Sequence, residues 1–431
     1  MYFCDKIMEV FAFPVSAILA LVTVSLVALS GNGRLATFLK SHRTAFSLLA
    51  IAALLLMIEG SWAPGIPKRG GFAIFVLLLT FCLGFSATAD LKRKCPAAFL
   101  SHLGLFLVLA GGLFGAPDRQ ELGLKLHEGE SDHIAYDTDG LACGLPFELK
   151  LNDFEIEYYE DGVSPKQYRS RISIDGKELE TSVNHPARHG MWRIYQAGFG
   201  QDAAQYAVLK AVRDPWLPVI ALGGLLLAAG AFLKLSFRRP GNRTRPSTGL
   251  QEPVRDAAGR KAIQGWKGAA LTVAVAVIFA FLSLARIRFA TLMPALRSIW
   301  FVPHLLIYML AYSLLALSLL AILARPLLKR IPEELPRQLL SVASSLLLLG
   351  MLCGAVWAQA AWGNYWTWDA KECWAAATWM ISLAGLHAGD KTRRAVLTAS
   401  VLLAFAAMQM SWYGVNHLPA AKKSLHTYNK G

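Results

Sequence analysis

Ten apolar runs punctuate the sequence, near residues 11–30, 45–60, 71–88, 97–115, 216–235, 268–285, 303–324, 339–360, 373–389 and 395–414. A helix rises about 1.5 Å per residue, so runs of this length match the roughly 30 Å hydrocarbon core of a bilayer. The 431-residue chain is 55% hydrophobic and 17% charged, against about 45–50% and about 25% for soluble domains. A single water-solvated core stops growing beyond about 250–300 residues, so this much apolar content needs lipid as its solvent. The expected fold class is a polytopic α-helical membrane protein with about ten transmembrane helices. Only Lys6 and the acidic Asp5 and Glu9 precede the first run, which therefore reads as a retained span rather than a signal peptide.

Alternate loops differ in charge. One set, which includes the polar stretch 236–267, holds 22 Lys and Arg, and the opposite short segments, residues 116–214 aside, hold 10. The positive-inside rule assigns the first set to the cytoplasm, which leaves both termini outside. The net charge of +14 then reports topology, and nucleic acid is not an expected partner. Residues 116–214 break the pattern, with 18 acidic and 11 basic residues. Alternation in Phe147–Leu151 and Phe154–Tyr158, with short runs at Arg171–Ile174 and Trp192–Tyr195, predicts half-buried strands. Asp161-Gly162 and Asp175-Gly176 mark turns between them. The expected organisation is four helices in 1–115, a small β-rich extracytoplasmic domain in 116–214, a fifth helix in 215–235, a cytoplasmic linker in 236–267 and a second helical unit in 268–431. The six cysteines include no Cys-x-x-Cys pair, so the chain is not itself a c-type cytochrome and no disulfide framework is implied.

The densest chemical signal is the stretch 362–374, Trp-Gly-Asn-Tyr-Trp-Thr-Trp-Asp-Ala-Lys-Glu-Cys-Trp, with five aromatic residues in 13. Scattered Trp and Tyr at this depth commonly form an interfacial belt. Here Gly363, Asp369 and Glu372 sit at fixed places among Trp362, Trp366, Trp368 and Trp374, a pattern that suits a large planar ligand held by stacking and apolar burial. Trp-Gly-x-x-Trp-x-Trp-Asp, continued as x-x-Glu-x-Trp, resembles the tryptophan-rich signature of the haem-handling proteins of cytochrome c biogenesis, and is most similar to the CcsA (ResC) type. The first half resembles the CcsB (ResB) type through Ser101–Leu105 with Gly111-Gly112, Leu145–Phe147, Asp153–Tyr159, Val183–Pro186 and Ile194–Gln196. Both halves in one chain are similar to the fused CcsBA synthase family of the System II pathway. That resemblance implies haem b as the ligand carried, a Cys-x-x-Cys-His apocytochrome and thiol-reducing membrane proteins as partners, and a bacterial inner-membrane location.

Four of the ten histidines lie in or beside predicted spans, where imidazole is rare and must find a partner. His102 and His387 lie toward the cytoplasmic ends of their spans, while His304 opens the seventh span at the outer face and His426 lies in the outer tail. One such histidine alone is most simply a hydrogen-bonded core residue; sorted by side, the four make two pairs, and paired imidazoles are a common ligand set for haem iron. The resemblance implies the same assignment, with His102 and His387 as the transmembrane ligands and His304 and His426 as the outer ones. His417 competes with His426. His42, His127, His133, His185 and His189 read as solvated residues. Arg286, Arg288 and Arg297 are candidates to pair haem propionates, with membrane-flank anchoring as the alternative, and Asp369 and Glu372 are expected to shape the loop. The expected function is haem transport and covalent attachment to apocytochrome, a holocytochrome c synthase (haem lyase) activity. A bis-histidine b-type electron-transfer cytochrome, or a haem-handling subunit of the other (Ccm) maturation pathway, would share some of these features.

Overall fold

The computed structural model of the protein describes residues 12–29, 33–62, 65–201, 205–236, 293–328, 331–389 and 393–420, and every apolar run that falls within them is helical. In chain order the helices are α1 (Val15–Leu29), α2 (Arg34–Leu39), α3 (His42–Glu59), α4 (Gly70–Lys92), α5 (Pro96–Gly115), α6 (Leu217–Ser236), α7 (Phe301–Ala324), α8 (Leu335–Trp362), α9 (Ala370–Leu386) and α10 (Arg393–Trp412). Seven of them, α3 to α8 and α10, are long and apolar enough to cross a membrane. Helix α1 is apolar but has 15 residues, and α9 has 17, with Glu372 in its first turn. The span expected near 268–285 lies outside the described residues.

Between α5 and α6 the chain forms one eight-stranded sheet. Its strands are β1 (Gln120–His127), β2 (Ser131–Tyr136), β3 (Ala142–Tyr158), β4 (Pro165–Ile174), β5 (Lys177–Ser182), β6 (Ala187–His189), β7 (Trp192–Gln201) and β8 (Gln205–Arg213). The order is β5-β4-β3-β2-β1-β8-β7-β6, with antiparallel neighbours throughout. The sheet curls so that its ends meet: Thr181 Oγ1 on β5 donates to Ile194 O on β7 at 2.8 Å, and Ser170 Oγ on β4 donates to Gln196 Oε1 on β7 at 2.6 Å. Curling hides both edges of a sheet that would otherwise offer unpaired backbone, and the result is barrel-like. Inward positions of alternating strands fill it with Leu124, Leu126, Leu149, Leu151, Ile172, Ile174, Ile194 and Leu209, all within one buried cluster. Each such side chain contributes about 1.5–3 kcal/mol of burial free energy. Asp175 and Gly176 both have positive φ (50° and 76°) in the β4–β5 connection, as a tight two-residue hairpin turn requires.

The sheet grows out of a tightly packed helix pair. A Cβ on Gly104 of α5 would lie 2.6 Å from Gly223 O of α6, and one on Gly223 would lie 2.7 Å from Gly104 O, so both positions need glycine for the backbones to touch. Small residues on facing stripes are how helices approach closely where lipid supplies no hydrophobic drive. Asp118 closes the end of this pair, accepting from Phe13 N (2.6 Å), Ser16 Oγ (2.8 Å) and Trp216 Nε1 (2.6 Å).

Helices from both ends of the sequence then share one bundle. Ala53 of α3 packs with Leu314 and Leu315 of α7, Leu340 and Ala343 of α8, Ile381 of α9 and Val401 of α10. Leu227 and Ala231 of α6 pack with Leu347 and Leu348 of α8 and Trp379 of α9. The end of α5, the start of α6 and the loop before α9 meet the sheet, so the bundle has a sheet side and a far side.

Candidate functional site

On the far side, α4 and α5 form a helical hairpin whose turn brings Asp90 beside His102. Asp90 Oδ2 and His102 Nδ1 are 2.6 Å apart, with side-chain exposures of 12% and 29%. His387 caps the C-terminus of α9, and its Nδ1 lies 2.8 Å from Leu383 O one turn back. Two predicted ligands therefore lie toward the same end of the bundle, His102 near the start of α5 and His387 at the end of α9.

On the sheet side, His304 lies in the first turn of α7 and packs into a groove on α8. The groove is made by glycine: a Cβ on Gly354 would lie 2.7 Å from the His304 ring, and one on Gly350 would lie 2.7 Å from the Tyr308 ring. Gly350 O lies 2.9 Å from His304 Nδ1, and Tyr308 and Trp357 flank the imidazole with ring centroids 4.9 and 5.9 Å away. His426, Arg286 and Arg288 lie outside the described residues. His417 is exposed in the short 3-10 turn Gly414–His417 that follows α10.

The three predicted ligands that lie within the described residues share one chemical property. Each Nδ1 faces an oxygen acceptor, which makes Nδ1 the protonated nitrogen and leaves the lone pair on Nε2. Nδ1–H bonded to a carboxylate or carbonyl is the arrangement that orients metal-ligating imidazoles. Among the described residues no group of three or more His, Cys, Asp or Glu side chains forms a metal-binding cluster, and the site is built from imidazoles. It suits a metal whose other positions are filled by a macrocycle.

The tryptophan-rich loop begins where α8 ends in the left-handed Gly363 (φ 76°). A Cβ there would lie 2.9 Å from the Tyr195 ring, so glycine both turns the chain and admits the sheet. Asp369 and Glu372 form a capping box on α9: Asp369 Oδ1 accepts from Lys371 N at 2.9 Å, and Glu372 Oε2 accepts from Thr367 N at 2.8 Å and Asp369 N at 3.2 Å. Both carboxylates thus shape the loop. The tryptophans occupy two neighbourhoods. Trp362 lies 5.1 Å from Trp357, which leads to His304. Trp366 and Trp368 meet edge to face at 5.9 Å, Trp368 meets Phe72 of α4 at 5.3 Å, and both pack toward Leu56, Cys373 and Ala376. The indole N–H groups of Trp366 and Trp374 are buried without an acceptor among the described residues. Buried donors of that kind suit a carboxylate-bearing ligand.

The sheet holds both walls of this site, which sequence reading missed. Arg119 donates to Gly363 O at 3.1 Å and to Asn364 Oδ1. It also pairs with Glu121 at 2.8 Å, which Lys210 joins at 2.9 Å. Gln359 Nε2 donates to Tyr195 Oη at 2.9 Å. Burial pushes the Tyr365 phenol up to about 12, and the nearby Asp214 adds to the shift. Burial also raises the Asp214 carboxyl, against the pull of Arg119. On the other wall, Asn184 Nδ2 donates to Pro294 O at 3.0 Å and Arg297 reaches Lys166 O at 3.4 Å, while Trp357 Nε1 donates to Ala295 O at 2.8 Å. Arg297 therefore faces the sheet. Asp90, Gly350 and Gly354 were also missed; an acid within an apolar helix and the spacing Gly-x-x-x-Gly were the signals available.

Comparison with known proteins divides the chain in two. Residues 96–205 match the ResB-like family, and residues 256–421 match the cytochrome c assembly protein family. The chain is similar to a cytochrome c biogenesis protein CcsA of Guillardia theta, 34% identical over 177 residues, covering 32% of this chain and 57% of that protein. A CcsA of Synechococcus elongatus is 38% identical over 121 residues, 25% of this chain and 36% of its own length. A CcsA of Synechococcus sp. strain JA-2-3B'a(2-13) is 42% identical over 115 residues, 22% of this chain and 31% of its own length. The chain thus spans little more than half the length of these curated relatives at most.

Proposed function

Since it joins a ResB-like region to a cytochrome c assembly region, the chain belongs to the fused CcsB–CcsA family of cytochrome c biogenesis, and from that premise we propose that it moves haem across a bacterial inner membrane and attaches it to Cys-x-x-Cys-His apocytochromes on the sheet side. The observation that carries this reading is the shared polarity of His102, His387 and His304, each with Nδ1 facing an oxygen and Nε2 bearing the lone pair. Haem b is the cargo. His102 and His387 hold its iron on the far, cytoplasmic side; His304 holds it on the sheet side, with His426 as the second ligand. The Trp362–Trp374 loop presents apolar surface to the macrocycle. The buried indole donors of Trp366 and Trp374, with Arg286, Arg288 and Arg297, are the groups available to propionates.

At the sheet side the attachment chemistry needs little from the protein beyond position. Each cysteine Sγ of the apocytochrome adds to one vinyl group, forming a C–S bond while the thiol proton goes to the other vinyl carbon. No electron is gained or lost, and the cysteines must arrive reduced, which is the work of thiol-reducing partners. Fixing thiol and vinyl in one geometry supplies about 7–11 kcal/mol at the upper limit of intramolecular advantage. The apocytochrome's own histidine then replaces one outer ligand, releasing the product.

Co-expression with a Cys-x-x-Cys-His reporter, in a strain without its own maturation genes, tests this function. Covalent holocytochrome that disappears in His304→Ala, and returns with added imidazole, supports it. Reversible haem reduction with no covalent product from the intact chain would favour an electron-transfer cytochrome instead.

A further inference from the structure

Asp90 has no place in the function described so far. It is 9% exposed, near the end of an otherwise apolar helix, and a buried carboxylate in a membrane segment is costly unless paired. Its partner is His102, whose Nδ1 lies 2.6 Å from the carboxylate, within hydrogen-bond distance. His304 and His387 face backbone carbonyls instead, at 2.9 and 2.8 Å. The three predicted ligands among the described residues are therefore oriented by acceptors of two kinds, a carboxylate for His102 and backbone carbonyls for His304 and His387.

The difference has an electronic consequence. A carboxylate bonded to Nδ1–H pushes electron density through the ring and makes Nε2 the stronger donor to a metal; a neutral carbonyl does so less. Stronger axial donation favours ferric over ferrous haem. We propose that Asp90 is a positioning residue for the far-side haem, forming with His102 a carboxylate–imidazole–iron arrangement that binds haem more tightly and more in favour of the ferric state than the carbonyl-oriented His304 does on the sheet side. This inference rests on the reading of His102 as a haem ligand.

The test uses the full chain purified in detergent after haem-replete expression, in a His304→Ala background so that the far-side haem dominates the spectrum. Haem content per protein and the reduction potential by spectroelectrochemistry are compared for the parent, Asp90→Asn, Asp90→Glu and His102→Ala. Asp90→Asn keeps an oxygen acceptor of the same shape without the charge. It should retain a bis-imidazole spectrum, shift the potential positive and bind haem about 10–100-fold more weakly, while Asp90→Glu should restore the parent's potential. A role confined to stapling the helical hairpin would lower haem content but leave the potential of the retained haem unchanged. His102-dependent haem whose potential does not move in Asp90→Asn overturns this inference alone. Haem content that is unaltered by His102→Ala overturns the ligand reading and the inference with it.

Discussion

The two ends of the helical bundle are built on different terms. The far-side histidines are held by their own neighbourhood: His102 by Asp90 across a single helical hairpin, and His387 by Leu383 one turn back on its own helix. The sheet-side histidine is held by long-range contacts. His304 needs the glycine groove of α8, α8 and its loop are clasped by Arg119 and Tyr195 from the sheet, and the segment before α7 is tied to Asn184. The far side thus draws on helices alone, His102 from the ResB-like region and His387 from the cytochrome c assembly region, whereas the sheet side also needs the sheet to hold α8, its loop and the segment before α7. Holding haem asks little more than two oriented imidazoles; positioning it against a protein substrate asks for a wall that the second region supplies.

The comparison breaks most readily at His304. His304→Ala should abolish holocytochrome formation while the far-side haem remains in the purified chain, as measured by reporter yield and haem content. Loss of both haems together would show that the two ends are not independent. A substitution in the groove should come next: Gly354→Ala places a methyl 2.7 Å from the imidazole, and a displacement of the order of 1 Å can cost about 100-fold in a positioned reaction. Reporter yield should fall by about that much with His304 still present, and Tyr308, one turn on, should change its fluorescence environment little.

Much of this architecture is legible in the sequence, and what is not has physical reasons. The apolar runs give the helices because lipid-crossing length is a local property. The alternation at 147–151 and 154–158 gives strand, but it hides the fact that both belong to the single strand β3, because the register shifts between Leu151 and Asp153 and breaks the two-residue period. The tryptophan-rich loop is visible from its composition, and the capping box from the Asp-x-x-Glu spacing of Asp369 and Glu372. Asp90 is hidden because it stands next to Lys92-Arg93-Lys94 and reads as loop charge, although the turn after α4 folds it back onto His102. Arg119 and Asn364 lie 245 residues apart, and no local pattern announces such a contact.

Smaller effects sharpen the comparison. Arg119→Ala removes the donor to Gly363 and Asn364, at about 0.5–1.5 kcal/mol per hydrogen bond, while Glu121 keeps Lys210. Reporter yield should drop several-fold and the sheet-side haem spectrum should shift, with the far-side spectrum unchanged. An equal disturbance of both spectra would contradict the division. Asp369→Ala removes a helix cap, worth about 1 kcal/mol. It should lower thermal stability slightly, and a complete loss of haem would mean that Asp369 touches the ligand itself.

In the proposed function, haem reaches the sheet side by way of the far-side pair. The direct measurement is the haem bound at the sheet side in His102→Ala with His304 intact, quantified in the purified full chain by haem content and by spectral comparison with His304→Ala. The account predicts that the sheet-side haem and the reporter cytochrome are both lost. A full sheet-side haem load in His102→Ala would contradict it.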